Sequence, residues 1–177
     1  MKTLVTNAEI EEVGESLILK YLGTRQSMVR CVDIEGFIQE HLRLPIEYAD
    51  IREDDLDKIG FVSDGIYPLH VLIKGKRQKV LYPKGTIVID RYLLRAEKSG
   101  QRRFTLAHEA AHIIFERMCP TAIGPCFNRF YDREREYGIE ELREHLNLCE
   151  MQTDRLASVL LMPRPLVERI LLEFREG

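Results

Sequence analysis

No stretch of this chain approaches the roughly 18 consecutive apolar residues of a membrane span. Its opening segment, MKTLVTNAEIEEVGESLILK, puts acidic side chains where a secretory leader needs an unbroken apolar run. The expectation is a cytoplasmic protein that does not enter a membrane. There is no excess of positive charge either. The net charge is −3, with 26 Lys and Arg against 29 Asp and Glu, so the electrostatic attraction that drives binding to a phosphate backbone is missing. Direct nucleic-acid binding is not expected. No CxxC pair occurs among Cys31, Cys119, Cys126 and Cys149, which excludes a zinc knuckle or a dithiol redox motif and leaves free thiols as the expected state. No repeat or low-complexity segment breaks the chain, and 177 residues suffice to bury a core, so 1–177 reads as a single domain.

What is present is an ordinary globular composition, 45% hydrophobic and 31% charged, distributed in three blocks. Residues 1–45 carry helical periodicity. Thr6 with Glu9 three positions on predicts a capping box, followed by Ile10, Val13, Leu17, Ile18 and Tyr21 up to Gly23. Asp33 predicts a second N-cap, before Ile34, Phe37, Ile38 and Leu42, with Pro45 ending the pattern. Residues 46–90 change to short β-like runs, IGFV, LHVLI at 69–73, KVLY at 79–82 and TIVID at 86–90, which predict a small, mostly antiparallel sheet. Lys74, Lys76, Arg77 and Lys79 around Gly75 read as a solvated hairpin tip. Residues 91–177 are predominantly helical, interrupted by the two prolines and glycine of 119–126. One helix is expected over about 140–162 and a last amphipathic one from Arg164, packing through Val167, Ile170, Leu171 and Phe174.

The chemistry concentrates in 102–118, RRFTLAHEAAHIIFERM. His108 and His112 are four apart and so lie one helical turn above each other on one face, where both imidazoles can reach a single ion. Glu109, about 100° further round the helix, can reach a water in front of that ion without ligating it, which is the role of a general base. Ala107, Ala110 and Ala111 allow close approach of other elements, and Phe104, Ile114, Phe115 and Met118 are expected to anchor the helix in the core. Phe115 and Met118 occupy the positions where the metzincin extension needs glycine and histidine, so that class is excluded. A carboxylate on a later helix is the other solution. Glu150 fits a third ligand and Asp154, one turn on, fits an acceptor that orients a histidine, although a solvated helix face explains the same pair from spacing alone.

The segments Arg103-Phe104-Thr105-Leu106-Ala107-His108-Glu109 and Glu150 to Pro163 (EMQTDRLASVLLMP) together resemble the ImmA/IrrE-type metallopeptidases, whose members share RFTLAHE and a later ExxxDxxAxxLLMP. With the helix pair and sheet that precede them, the resemblance spans most of the chain. It implies an α+β, zincin-like domain with N-terminal helices, a small sheet, an HExxH active helix and C-terminal helices. It implies a Zn2+ ion held by His108, His112 and Glu150, with Glu109 as catalytic base and Asp154 as orienting residue. Leu-Gly is frequent where Ala110-Ala111 stand, Ala where Thr153 stands and an aromatic where Leu156 stands, but no ligand position departs. The stretch 119–147 between the motifs is unusual and bears on the shape of the cleft.

The activity expected from the resemblance is hydrolysis of a peptide bond in a protein substrate, such as a helix-turn-helix transcriptional repressor or similar regulator. Tyr131, Tyr137 and His145 are candidate donors to the oxyanion, and the substrate is expected to add as a strand to a sheet edge, with TIVID as the candidate. Two alternatives stand beside this reading: a non-catalytic, protein-binding regulatory module with a structural zinc, and a small-molecule metallohydrolase. The oligomeric state is not legible from the residues.

Overall fold

A computed structural model describes residues 6–51, 59–118 and 139–176. Helix α1, Asn7–Leu22, opens with the expected capping box. The Thr6 hydroxyl accepts from Glu9 N, and the Glu9 carboxylate accepts from Thr6 N at 2.8 Å. Its buried positions, Ile10, Gly14, Ile18 and Leu22, recur every fourth residue and form one stripe. Asp33 caps α2, Ile34–Gly36, by accepting from Gly36 N, but the helix then widens into a π-helical turn, Phe37–His41, before Pro45. The extra residue in that turn keeps Phe37 and Ile38 fully buried together.

Five strands follow: β1 Ile46–Ala49, β2 Gly60–Val62, β3 Leu69–Ile73, β4 Lys76–Val80 and β5 Ile87–Asp90. The first, second and fifth form one sheet in the order β1-β5-β2. In it β1 runs parallel to β5 in the register Ile46 with Ile87, and β2 runs antiparallel with Gly60 opposite Ile89. The sheet is therefore mixed, and β1 is a strand the periodicity did not signal. TIVID supplies the central strand, paired on both sides and buried at all four positions of Ile87–Asp90, so it is not an open edge. Among the described strands the edge nearest the helix Ser99–Met118 is β2. Asp90 N donates to Ile59 O and Ser63 N to Thr86 O. The alternate residues, Gly60 and Val62, consequently turn their main-chain groups away from β5.

Strands β3 and β4 make a separate hairpin whose turn is Lys74-Gly75, with φ of 52° and 72°, as a two-residue turn of primed type requires. The fourth strand is KRQKV and not KVLY, because a two-residue turn fixes the register from its own position.

Helix α3, Ser99–Met118, lies against β2, β5 and helix α4, Ile139–Leu161; helix α5, Arg164–Glu176, closes the chain. Gly14 lets α1 meet α4 closely, since a Cβ there would stand 2.6 Å from Val159 Cγ1. Glu11 then bridges α1 to Arg155 and Arg164 at 2.5 and 2.6 Å. The main core joins Ile10, Ile18, Phe37, Ile87, Ile89, Leu106, Ala110, Leu156 and Leu160, and a smaller cluster around Val71 and Val88 lies under the hairpin. The architecture is α+β. None of the described helices is long and apolar enough to cross a membrane.

Two assignments of packing residues differ from the periodicity. Ile114 and Phe115 are buried on α3 as expected, but Phe104 and Met118 are exposed, and Leu106 takes the core position instead. On α5 the inward residues are Leu166 and Ile170, while Val167, Leu171 and Phe174 face outward.

Candidate metal centre

The site is built by two crossing helices, each contributing one i,i+4 pair. Helix α3 is tied down at both ends to the α2 segment, by Arg103 donating to Val32 O at 2.9 Å and Arg117 to Leu42 O at 3.2 Å. It holds His108 and His112 with ring centroids 4.7 Å apart and planes at 82°. Helix α4 is fixed from behind by Leu156, Ala157 and Leu160, all fully buried, and this turns Glu150 and Asp154 toward the imidazoles. The crossing of α3 and α4 brings both carboxylates into contact with His108, while each stays about half exposed.

The contacts are close. Asp154 Oδ1 lies 2.9 Å from His108 Nδ1, Glu150 Oε2 lies 3.2 Å from His108 Nε2, Glu150 Oε1 lies 3.8 Å from His112 Nε2, and the two Nε2 atoms are 3.0 Å apart. One donor atom from each of His108, His112 and Glu150 falls within 4.8 Å of the others, and the three could hold a metal ion. Donors placed roughly 2.0–2.2 Å from one ion at tetrahedral angles stand about 3.4 Å from one another; the two Nε2 atoms, 3.0 Å apart, and Glu150 Oε2, 3.2 Å from His108 Nε2, stand near that value, and the other Glu150 oxygen lies 3.8 Å from His112 Nε2. Two imidazole nitrogens and one carboxylate oxygen are also the donor chemistry that zinc takes when a position stays open for substrate. The residues present therefore fit a zinc ion.

Glu109 sits apart from this cluster on the sheet side of α3 and is buried. Strand β2 passes directly against it. A Cβ on Gly60 would stand 2.6 Å from Thr105 Cγ2 and 3.1 Å from Glu109 Oε1. Burial pushes the Glu109 carboxyl above its ordinary range, with the imidazoles of His112 and His108 pulling the other way. Burial also works against a charged His108. The Glu150 hydrogen bond, the Glu109 charge and the Asp154 bond outweigh it and raise this imidazole to about 9. The same His108 bond holds Glu150 below the usual carboxylate range.

Two residues near the site were not singled out for it by the sequence. Gly60 was read only as part of a strand, although an isolated glycine inside a strand is itself a sign of close backbone approach. Phe104, assigned to the core, lies instead beside His108, with ring centroids 6.3 Å apart, and is 39% exposed. Of the candidate oxyanion donors, Tyr131 and Tyr137 lie outside the described residues, as do Cys119 and Cys126. His145 lies on α4 with its side chain outside them. Cys149 is buried and Cys31 exposed.

Comparison of the chain with protein-family models, with curated proteins and with solved structures finds no match.

Proposed function

We propose that this protein is a zinc-dependent peptidase of zincin-like architecture that hydrolyses a peptide bond in a protein substrate. The observation that carries the reading is the gathering of donor atoms of His108, His112 and Glu150 within 4.8 Å of one another, with the buried carboxylate of Glu109 between the two histidines in sequence. The resemblance of the two motifs to ImmA/IrrE-type metallopeptidases supports the same reading and suggests a transcriptional repressor, of helix-turn-helix type, as substrate.

His108, His112 and Glu150 would hold the ion. When bound, zinc supplies Lewis acidity, polarising a carbonyl and making a water easier to deprotonate. Asp154 orients the first of these ligands by fixing the proton on Nδ1. Glu109 takes a proton from the attacking water and returns it to the departing amine, and burial, which raises its carboxyl, makes it a stronger base than an exposed carboxylate. Strand β2 offers the outward main-chain groups of Gly60 and Val62, so an extended substrate would add to the sheet at that edge, beside the base.

The test is a pair of variants in zinc-reconstituted protein. Glu109→Gln is expected to keep zinc at wild-type stoichiometry and lose cleavage of a co-incubated helix-turn-helix repressor, followed by mass spectrometry of the products; Glu150→Ala is expected to lose the metal. Zinc held normally by Glu150→Ala would remove the third ligand. Full biological activity in Glu109→Gln would favour a docking module with a structural ion, and turnover of small amides without proteolysis would favour a small-molecule hydrolase.

A further inference from the structure

Helix α5 presents an apolar stripe to solvent. Val167, Leu171 and Phe174 follow the i, i+4, i+7 spacing of a single face and are 37%, 54% and 77% exposed. The helix is held in place by other contacts along its length. Leu166 is buried, Arg169 donates to Val29 O, and Arg164 is paired with Glu11 and Glu15, so the helix cannot roll to hide the stripe without breaking these contacts. The stripe is edged on one side by Glu168 and Arg175, both exposed and seven residues apart, which puts them two turns apart on the same side of the helix. Among the described residues neither takes part in an ion pair.

That edge is self-complementary in one orientation. When two copies of such a helix lie antiparallel about a two-fold axis near Leu171, the residue at 168 of each copy comes level with the residue at 175 of the other, on the same side of the seam. Acid then meets base twice by symmetry, and the two apolar stripes cover each other.

We infer that α5 is a self-association surface, through which two copies of this chain pair antiparallel with Leu171 at the centre and Glu168 of each copy against Arg175 of the other. One exposed helix face buries on the order of 800 Å² in total, below the roughly 1,200–2,000 Å² of stable specific interfaces, so the dimer is weak and reversible. This inference does not depend on the enzymatic reading.

Sedimentation velocity on the full chain across roughly 5 to 500 μM tests it, a range that brackets weak dimers. The mass of the wild type is expected to rise with concentration from 20.7 kDa toward twice that value. Leu171→Asp is expected to stay monomeric throughout while keeping the wild-type circular dichroism spectrum. Glu168→Arg and Arg175→Glu, which touch only exposed positions, are each expected to weaken association about tenfold, because two attractive pairs become two repulsive ones. The double variant Glu168→Arg/Arg175→Glu is expected to restore it. A wild type that remains monomeric over the whole range, a Leu171→Asp variant that still dimerises, or a double variant as weak as its parents would each overturn the proposal.

Discussion

Asp154 Oδ1 stands 2.9 Å from His108 Nδ1, and this contact decides what the opposite nitrogen of the ring can be. A carboxylate oxygen only accepts, so Nδ1 carries the proton and a neutral ring turns its Nε2 lone pair toward Glu150 Oε2 and His112 Nε2, at 3.2 and 3.0 Å. Either a proton on one of the two Nε2 atoms or a positive ion among them satisfies these contacts. Without metal it is a proton on His108, which then donates to Glu150; a divalent ion would take the same place. Proton and metal would compete for one position.

The competition gives zinc binding a defined pH dependence. With His108 raised to about 9 in the metal-free chain, binding must displace a proton below that pH. Affinity is expected to climb about tenfold per pH unit below that value and to level off above it. The sign for stability is opposite. A folded value above the ordinary 6.5 means that the protonated ring stabilises the metal-free fold at low pH, and that this contribution is lost as pH rises from 6.5 through about 9. Chelator-competition titrations and thermal melts of metal-free and zinc-loaded protein check both; an affinity flat over that window would mean that binding displaces no proton from His108 there.

Removing the Asp154 carboxylate frees the ring without removing any donor. Asp154→Ala is expected to weaken zinc binding about 10- to 100-fold, and Asp154→Asn less, because an amide oxygen can still accept from Nδ1. Arg155→Ala serves as the control. Arg155 points to Glu11 on α1, so its loss is expected to lower stability slightly and leave zinc affinity alone. Equal zinc affinities for wild type and Asp154→Ala would show that the contact does not orient the ring.

What could be read without coordinates was what depends on near neighbours in sequence. The Thr6–Glu9 box and the Asp33 cap are closed by residues three apart, and His108 and His112 meet because a helix repeats every 3.6 residues. Glu150 and Asp154 needed the crossing of α3 and α4, which no local pattern encodes. Strand β1 escaped notice because IEYA has no clean alternation and pairs with β5 some forty positions later. The same long-range pairing makes TIVID a central strand. On α5 the apolar positions were legible, but not which of them face the core, since Leu166 and Val167 are adjacent and only tertiary packing selects between two neighbouring stripes.

Tyr48 links the sheet to α2, donating its hydroxyl to Glu35 Oε1 at 3.1 Å. Burial first, and then the neighbouring Glu35 charge and hydrogen bond, push the phenol up to about 12 from an ordinary 10. A raised folded value favours the neutral phenol, so the stabilisation is complete below pH 10 and is lost between 10 and about 12. Tyr48→Phe is expected to cost about 1 kcal/mol at neutral pH through the lost hydrogen bond. It should also remove a tyrosinate that titrates at about 12 from a spectrophotometric titration at 295 nm. A titration identical in wild type and variant would contradict the shift.

The approach of β2 to α3 is where the sheet meets the proposed chemistry, and it rests on Gly60 having no side chain. An alanine methyl there would lie 2.6 Å from Thr105 Cγ2, closer than such carbons approach. Thr105 cannot turn away without giving up the bond its hydroxyl donates to Gln101 O at 3.0 Å. Either the edge strand retreats or that bond breaks, and Glu109 Oε1, 3.1 Å from the new methyl, moves with whatever yields. Gly60→Ala is therefore expected to destabilise the fold by about 1–3 kcal/mol in urea melts. Zinc affinity should change little, because His108, His112 and Glu150 are not among the atoms the methyl meets. Any peptide cleavage should fall through the displaced base. Gly100→Ala is the matched control: a Cβ there meets nothing within 4 Å and lies in the first turn of α3, so it is expected to leave stability equal or up to about 1 kcal/mol higher. If the two alanine variants melted alike, the β2 backbone would not be what confines Glu109.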